Sequence, residues 1–354
     1  MKKLIFCFDG TCNDPADSGD FFEDSSISNI VKLHAFFGGK LSPLNGRNAE
    51  TLGQHSFYYS GVGTRGNWFK QKFNSMFAPA DGDMEDILDE AKKDLKKYGG
   101  NKEEIYIFGF SRNAAIARIF AAKIGIEMGI KVKFLGVFDT VAATKGSLDL
   151  NPNTYPASGI IFENGTMGKH IEEAAHLVSI DEKRIAFQPT LFNKDKRITE
   201  VWFAGVHSDI GGGYWFDGLS DITLKFMLDR IKDKLQVLAI SEIGYDCLKV
   251  AGAQDTICDN DINIKPLCNG KIHEQKRSGA MVKTLAARLI RVNIDDVPSK
   301  KDIAIVHHSV SERFKVVTEY RPYALRDARF HIMDKKGKVG DEMDTPYYGV
   351  NAPK

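Results

Sequence analysis

The sequence is short of net charge, of cysteine and of long apolar runs, and each lack excludes something. Its 48 lysines and arginines are offset by 47 aspartates and glutamates, leaving +1, so no overall field draws the chain to nucleic acid or to an anionic membrane. The five cysteines, Cys7, Cys12, Cys247, Cys258 and Cys268, are odd in number and show no C-x-x-C spacing. Neither a zinc site nor a complete disulfide framework is suggested. A reduced, cytosolic protein on synthesis is expected, with a Cys258–Cys268 pair left open. No run approaches the roughly 18 apolar residues of a membrane span. The start, Met1-Lys2-Lys3-Leu4-Ile5-Phe6-Cys7-Phe8, imitates a leader, but Asp9 cuts it short and no small-residue cleavage site follows. It reads as a first strand, so any export needs a signal-less route. Repeats, low-complexity tracts and clear linkers are also lacking. The expected organisation is one α/β domain over residues 1–354, with loop and helical insertions at about 146–200 and 239–300.

What is present centres on Glu104 to Arg118. Ile105 to Phe108 is a short apolar run rich in β formers, Gly109 breaks it, and the small residues from Ala114 onward read as a helix. Strand, sharp turn bearing a serine, then helix is the layout of a nucleophile elbow. The chemistry needs that shape: a serine hydroxyl attacks only when a neighbouring base takes its proton, and a tight turn lifts it clear of the backbone. Asn113 stands where the G-x-S-x-G pattern has its second glycine.

Other candidates lie just beyond strand ends, where parallel sheets gather functional residues. Leu4 to Phe8 runs into Asp9-Gly10-Thr11, a loop suited to giving an oxyanion N–H; Cys7 replaces the carboxylate that an aspartate phosphatase needs there. Lys131 to Phe138 ends at Asp139, a candidate acid for orienting a histidine. The strand over 200–206 runs into His207-Ser208-Asp209-Ile210-Gly211-Gly212-Gly213, where His207 can serve as base and Asp209 as acid or loop anchor. His308, late in the chain, rivals His207. The spacing further predicts a helix over 172–180 with a structural His176, an aromatic core helix over 67–79, and a solvated, mixed-charge face over 276–291. The glycine-rich stretch 61–66 lacks the G-K-[ST] ending of a phosphate loop.

Taken in order, Phe8-Asp9-Gly10-Thr11 with Asn13, Gly109-Phe110-Ser111-Arg112, Phe138-Asp139-Thr140-Val141 and Gly205 to Tyr214 resemble an α/β-hydrolase family, first catalogued as uncharacterised, that includes phospholipase effectors of bacterial type VI secretion. His176 with Asp181, Glu182 and Arg184, then Leu219-Ser220-Asp221, then His308-Ser309-Val310 with Arg313, look similar as well. The resemblance implies a mostly parallel sheet with helices on both faces and a Ser–Asp–His triad acting on phospholipid acyl esters without a cofactor or metal. Carried over by position, Ser111 is the nucleophile, Asp139 the acid and His207 the base, with Asp209 and His308 as the alternative pair in the same chain order. Oxyanion donors are expected at Arg112 and near Gly10 or Thr11. Implied partners are a lipid or ester substrate, a transient membrane contact, and an immunity or secretion-apparatus protein. Two rival functions stay open: a degraded effector that binds lipid or a partner, and a metal-dependent phosphoesterase built on Asp9, His207 and Asp209.

Overall fold

The computed structural model describes residues 2–10, 25–41, 48–51, 53–61, 81–99, 102–141, 167–248, 257–274, 276–326 and 328–344. Thr11, the glycine-rich stretch 62–66, the aromatic segment 67–79 and the excursion 146–166 lie outside them.

In chain order the elements are β1 (Lys3–Phe8), β2 (Ser25–Ser28), α1 (Asn29–Phe36), β3 (Asn48–Thr51), β4 (Gln54–Tyr59), α2 (Asp81–Tyr98), β5 (Glu104–Phe110), α3 (Ser111–Met128), β6 (Val132–Phe138), β7 (Ala174–Ser179), β8 (Ile198–Phe203), α4 (His207–Gly211), β9 (Gly212–Tyr214), α5 (Gly218–Ile231), α6 (Asp259–Ile262), β10 (Asn293–Ile294), β11 (Val297–Pro298), β12 (Ile305–His307), α7 (His308–Val316), β13 (Arg329–Met333) and β14 (Val339–Asp344). Among the described residues ten strands form one sheet in the order β14-β13-β12-β8-β7-β6-β5-β1-β4-β3. Every pairing from β13 to β4 is parallel, and only the edge strands β14 and β3 run antiparallel.

Alternation along β1 explains the layers. Leu4, Phe6 and Phe8 face α2 and α3, with the Phe120 ring of α3 tilted against that of Phe6 at a centroid distance of 4.9 Å. Ile5 and Cys7 face the opposite way, toward α1 and α5. Helices therefore cover both faces, as a buried parallel sheet requires. Phe120 is fully buried, so Phe120→Ala costs about 3–5 kcal/mol. Helix α1 starts where Ser28 Oγ accepts the Val31 N–H at 3.2 Å, an ordinary N-cap.

The chain visits β1, moves out to β4, then crosses back over β1 to β5 and proceeds outward to β13. That reversal leaves a crevice at the carboxyl ends of β1 and β5. One expectation fails here: residues 174–179, inside the predicted helix 172–180 and the predicted insertion, are strand β7 at the centre of the sheet. All six of its residues are buried. A strand buried on both faces has no period-2 signal, and its two alanines favour a helical reading. Among the described residues no helix is long and apolar enough to cross a membrane.

Candidate active site

Ser111 sits where β5 ends and α3 begins, with φ +61°. A left-handed serine at this junction is the strained turn of a nucleophile elbow. Strand and helix pass so close that a Cβ on Gly109 would stand 2.8 Å from both Ala114 Cα and Ala117 Cβ. Asn113 needs no glycine-like backbone: it lies in the first turn of α3, its φ is not positive, and its side chain is buried with Nδ2 3.4 Å from the Ser60 carbonyl. The pattern's second glycine is thus replaced by a residue that fits the space between α3 and the end of β4.

Asp139 follows β6 and His207 opens α4 just beyond β8. His207 Nε2 lies 2.8 Å from Ser111 Oγ, and His207 Nδ1 lies 2.6 Å from Asp139 Oδ2. All three side chains are buried. The ring of His207 is held between Phe110, at a centroid distance of 4.7 Å, and Phe187, at 4.9 Å edge-on. Asp139 also has positive φ, +39°. Its Oδ1 accepts the Ser179 N–H at 2.9 Å, while its own N–H donates to the Leu177 carbonyl at 2.7 Å. His176, read as structural, supports the same turn: its Nε2 accepts the Thr140 N–H at 3.1 Å and its Nδ1 meets Glu200 at 2.8 Å.

Two further side chains complete the electrostatics: Arg288, which carried no signal in the sequence, and Glu182, which the resemblance had named without a role. Arg288 is fully buried and grips both oxygens of Asp139, at 2.6 and 2.9 Å. It also donates to the carbonyls of Ser179 and Phe187. It falls in the stretch predicted to be a solvated face; mixed charge there conceals one arginine turned inward to a carboxylate. Burial alone would raise the Asp139 carboxyl, but the Arg288 charge and the His207 bond outweigh it and hold the group well below the usual carboxylate range. Burial pushes the His207 imidazole down, against the opposing pull of Asp139. Glu182 accepts the backbone N–H of His207 at 3.2 Å and two bonds from the Arg184 side chain at 2.8 and 2.7 Å. Burial is again outweighed, by Arg184, and the Glu182 carboxyl falls to about 2.

The backbone leading into His207 is held by three carboxylates in succession. Asp181 accepts the Gly205 N–H at 2.7 Å, Asp209 the Val206 N–H at 2.9 Å, and Glu182 that of His207. Asp209 is in turn bonded to His273 Nδ1 at 2.6 Å and Asp181 to the Tyr320 hydroxyl at 2.9 Å. The glycine run then lets the backbone pass close to α1: a Cβ on Gly212, at φ +81°, would meet the Asn29 nitrogen at 2.5 Å.

The alternative pair is not assembled. Asp209 is engaged by His273, and His308 faces Glu312 at 3.4 Å on α7. The predicted oxyanion donors divide. Arg112 stands in the first turn of α3, whose N–H groups point toward the helix start. The Gly10 N–H, by contrast, donates to the Asp9 carboxylate at 2.6 Å, because Asp9 is buried and needs donors; its other oxygen takes the Tyr58 hydroxyl at 2.6 Å. The three residues of the metal reading are likewise apart in partnership: Asp9 with Gly10 and Tyr58, His207 with Ser111 and Asp139, Asp209 with His273. Among the described residues no group of three or more His, Cys, Asp or Glu side chains could hold a metal ion.

A mostly parallel sheet, a serine elbow after β5 and an Asp and a His on later carboxyl ends define the α/β-hydrolase fold class. Residues 2–130 and 122–230 match the family described as "T6SS, Phospholipase effector Tle1-like, catalytic domain". That is more than half of the sequence, and the chain belongs to this family. An uncharacterised protein of Saccharomyces cerevisiae (strain ATCC 204508 / S288c), YEL023C, is 29% identical over 136 residues, covering 35% of this chain and 17% of that protein. An uncharacterised Pseudomonas aeruginosa protein of known crystal structure is similar with a TM-score of 0.45 and 20% identity, over 75% of this chain and 49% of that one. The Tle1 effector bound to the VgrG spike of the Type 6 secretion system is similar with a TM-score of 0.38 and 23% identity, over 60% of this chain and 51% of that one. The chain thus spans about half the length of these two structures and less of the yeast protein. Arg288, His273 and Tyr320 all lie beyond the residues matched to the family.

Proposed function

We propose that this chain is a serine hydrolase that cleaves carboxylic esters, with phospholipid acyl esters as its substrates. The observation that carries the reading is the continuous chain of short hydrogen bonds from Ser111 Oγ through His207 to Asp139, at 2.8 and 2.6 Å. Ser111 Oγ attacks the acyl carbonyl while His207 Nε2 takes its proton. Collapse of the tetrahedral species expels the alcohol, which receives that proton, and leaves an acyl ester on Ser111. Water, activated by the same imidazole, then frees the fatty acid. Asp139 keeps the proton on Nδ1 and stabilises the imidazolium that forms at each stage. The Arg112 N–H, next after the nucleophile, is one oxyanion donor. Such a donor is worth about 100-fold or more in rate.

Family membership supports the phospholipid as substrate and, with it, the role of a type VI effector. On this reading the protein leaves the producing cell by the secretion apparatus, touches a membrane surface transiently, and is opposed by an immunity protein. The decisive test is side-by-side hydrolysis of a short-chain ester and of phospholipid vesicles, with a fluorophosphonate label as an active-serine readout. The wild type is expected to act on both and to be labelled. Folded Ser111→Ala is expected to do neither. Wild-type protein that is folded yet inert to ester, vesicle and label would overturn the reading.

A further inference from the structure

Beside the His207 loop lies a cavity of about 1150 Å³ that includes none of Ser111, His207, Asp139 or Arg288. We infer that it is a second binding site, for the phosphate group of a glycerophospholipid headgroup. Phosphate recognition stands on the cavity's own chemistry; only its assignment to a lipid rests on the phospholipase reading.

The first observation is charge. Five cations line the cavity, Lys183, Lys271, Lys276, Arg313 and Arg321, against three carboxylates, Asp181, Glu274 and Glu319. Glu274 is already matched by Lys183 at 2.6 Å. Asp181 is buried and directed to the Gly205 N–H and the Tyr320 hydroxyl. Burial also raises its carboxyl to about 6, which weakens its negative charge in mildly acid solution. The lining is therefore positive, and a large positive cavity selects an anion.

The second observation is Arg313. It is only 5% exposed, and its guanidinium lies 4.8 Å from the Tyr320 ring. Its Nη1 donates to the carbonyls of Cys268 and Gly270, each at 2.7 Å. Its buried Nε has no hydrogen-bond partner. Those carbonyls fix the fork without neutralising it; the charge that faces it is the Asp181 carboxyl, which burial raises and Arg313 pulls down. A guanidinium held rigid by neutral acceptors is prepared for a tetrahedral oxyanion, which it binds with directed, charge-assisted bonds.

The third observation is the rim, and it favours a lipid as the source. Phe216 and Tyr323 line the cavity while staying largely exposed, at 59% and 61%, and Trp215 beside Phe216 is 58% exposed. Lys271 Nζ lies 5.1 Å from the Phe216 ring. Aromatic rings interleaved with lysines suit the headgroup layer of a bilayer, where one end of each ring is wet and phosphates meet ammonium groups. The volume accommodates a headgroup with its glycerol, not merely an ion. The lining includes Asp181, which itself holds the Gly205 N–H, with His273 and Tyr320, which are bonded to Asp209 and Asp181. A bound headgroup would so sit next to the hydrolytic centre without entering it.

The test uses Ser111→Ala protein, so binding is read without turnover and independently of whether the chain is a hydrolase. Its affinity is measured for phosphatidylglycerol vesicles and, by calorimetry, for glycerol 3-phosphate and inorganic phosphate. Saturable vesicle binding, displaced by millimolar glycerol 3-phosphate, is expected. Adding Lys271→Glu with Lys276→Glu should weaken vesicle binding about tenfold or more, and Arg313→Met should weaken both vesicle and glycerol 3-phosphate binding by a similar factor. Should Arg313→Met not fold, the double lysine variant decides, through its loss of glycerol 3-phosphate affinity. Binding of inorganic phosphate alone, with vesicles ignored, would overturn the lipid assignment. Vesicle binding that the lysine pair weakens but folded Arg313→Met leaves intact would reduce the site to surface attraction and overturn the cavity. Absence of saturable binding to all three probes would overturn the proposal entirely.

Discussion

Two aspartate–histidine pairs stand a few residues apart in this molecule with the same spacing. Asp139–His207 and Asp209–His273 are both 2.6 Å long, and all four side chains are buried. Their remaining neighbours differ. His207 has a serine hydroxyl at its second nitrogen, and Asp139 has a buried arginine at its back. His273 is covered by the Tyr214 ring at 3.9 Å, and its aspartate accepts the N–H groups of Val206 and His273. A carboxylate–imidazole bond is therefore no mark of catalysis by itself. On the proposed function the first pair moves a proton and the second fixes a loop.

Asp139→Asn should break the first pair most severely. It forces the wrong imidazole tautomer and is expected to cut ester hydrolysis about 10,000-fold with the fold intact by circular dichroism. Arg288→Met comes next, with a loss of about 10–100-fold. Without that cation, Asp139 stabilises the imidazolium more strongly, so the acid limb of the pH–rate profile should move up by about one pH unit. In the wild type that limb should lie below the ordinary 6.5, because burial disfavours charged His207 and activity needs the neutral ring. An unmoved limb in folded Arg288→Met would reduce Arg288 to a structural role; partial recovery of the profile in Arg288→Lys would support positioning. His273→Asn should cost less than about tenfold in rate, leave the acid limb in place, and lower stability by about 1–3 kcal/mol in denaturant titration through the weakened Asp209. A loss as deep as that of Asp139→Asn would erase the distinction between the pairs.

The smallest effect is on stability alone. Asp181 binds its proton near pH 6 when folded, against 3.8 for an ordinary aspartate. It contributes stability that is fully present below pH 4 and lost as pH rises through 6, at most about 3 kcal/mol. Asp181→Asn should flatten that part of the stability profile while keeping an acceptor for the Gly205 N–H.

Much of this was legible in the residues themselves. Gly109 to Ala117 announces the elbow because close strand–helix packing admits only small side chains there, and Asp139 and His207 announce themselves by following apolar strands. Strand β7 stayed hidden, since a strand buried on both faces carries no alternation. Arg288 and His273 stayed hidden for a different reason. Each acquires its role from a partner, Asp139 or Asp209, 149 and 64 residues away, and nothing local marks an inward-turning side chain in a polar stretch. The choice between the Asp139–His207 and Asp209–His308 pairings had the same limit, because chain order permits both and only three-dimensional neighbours separate them.

The three carboxylates that hold Gly205, Val206 and His207 also bear on the order in which the molecule comes together. Asp181 and Glu182 follow β7 while Asp209 stands in α4, and once folding gathers them they repel one another until His273 and Tyr320 arrive from later stretches of chain, Arg184 being already beside Glu182. Long-range closures of this kind follow local helix formation and early strand pairing. The hydrolytic centre is then a late reporter of folding: during refolding, competence for fluorophosphonate labelling at Ser111 should lag the far-ultraviolet signal of the sheet and helices, and that lag should lengthen in His273→Asn.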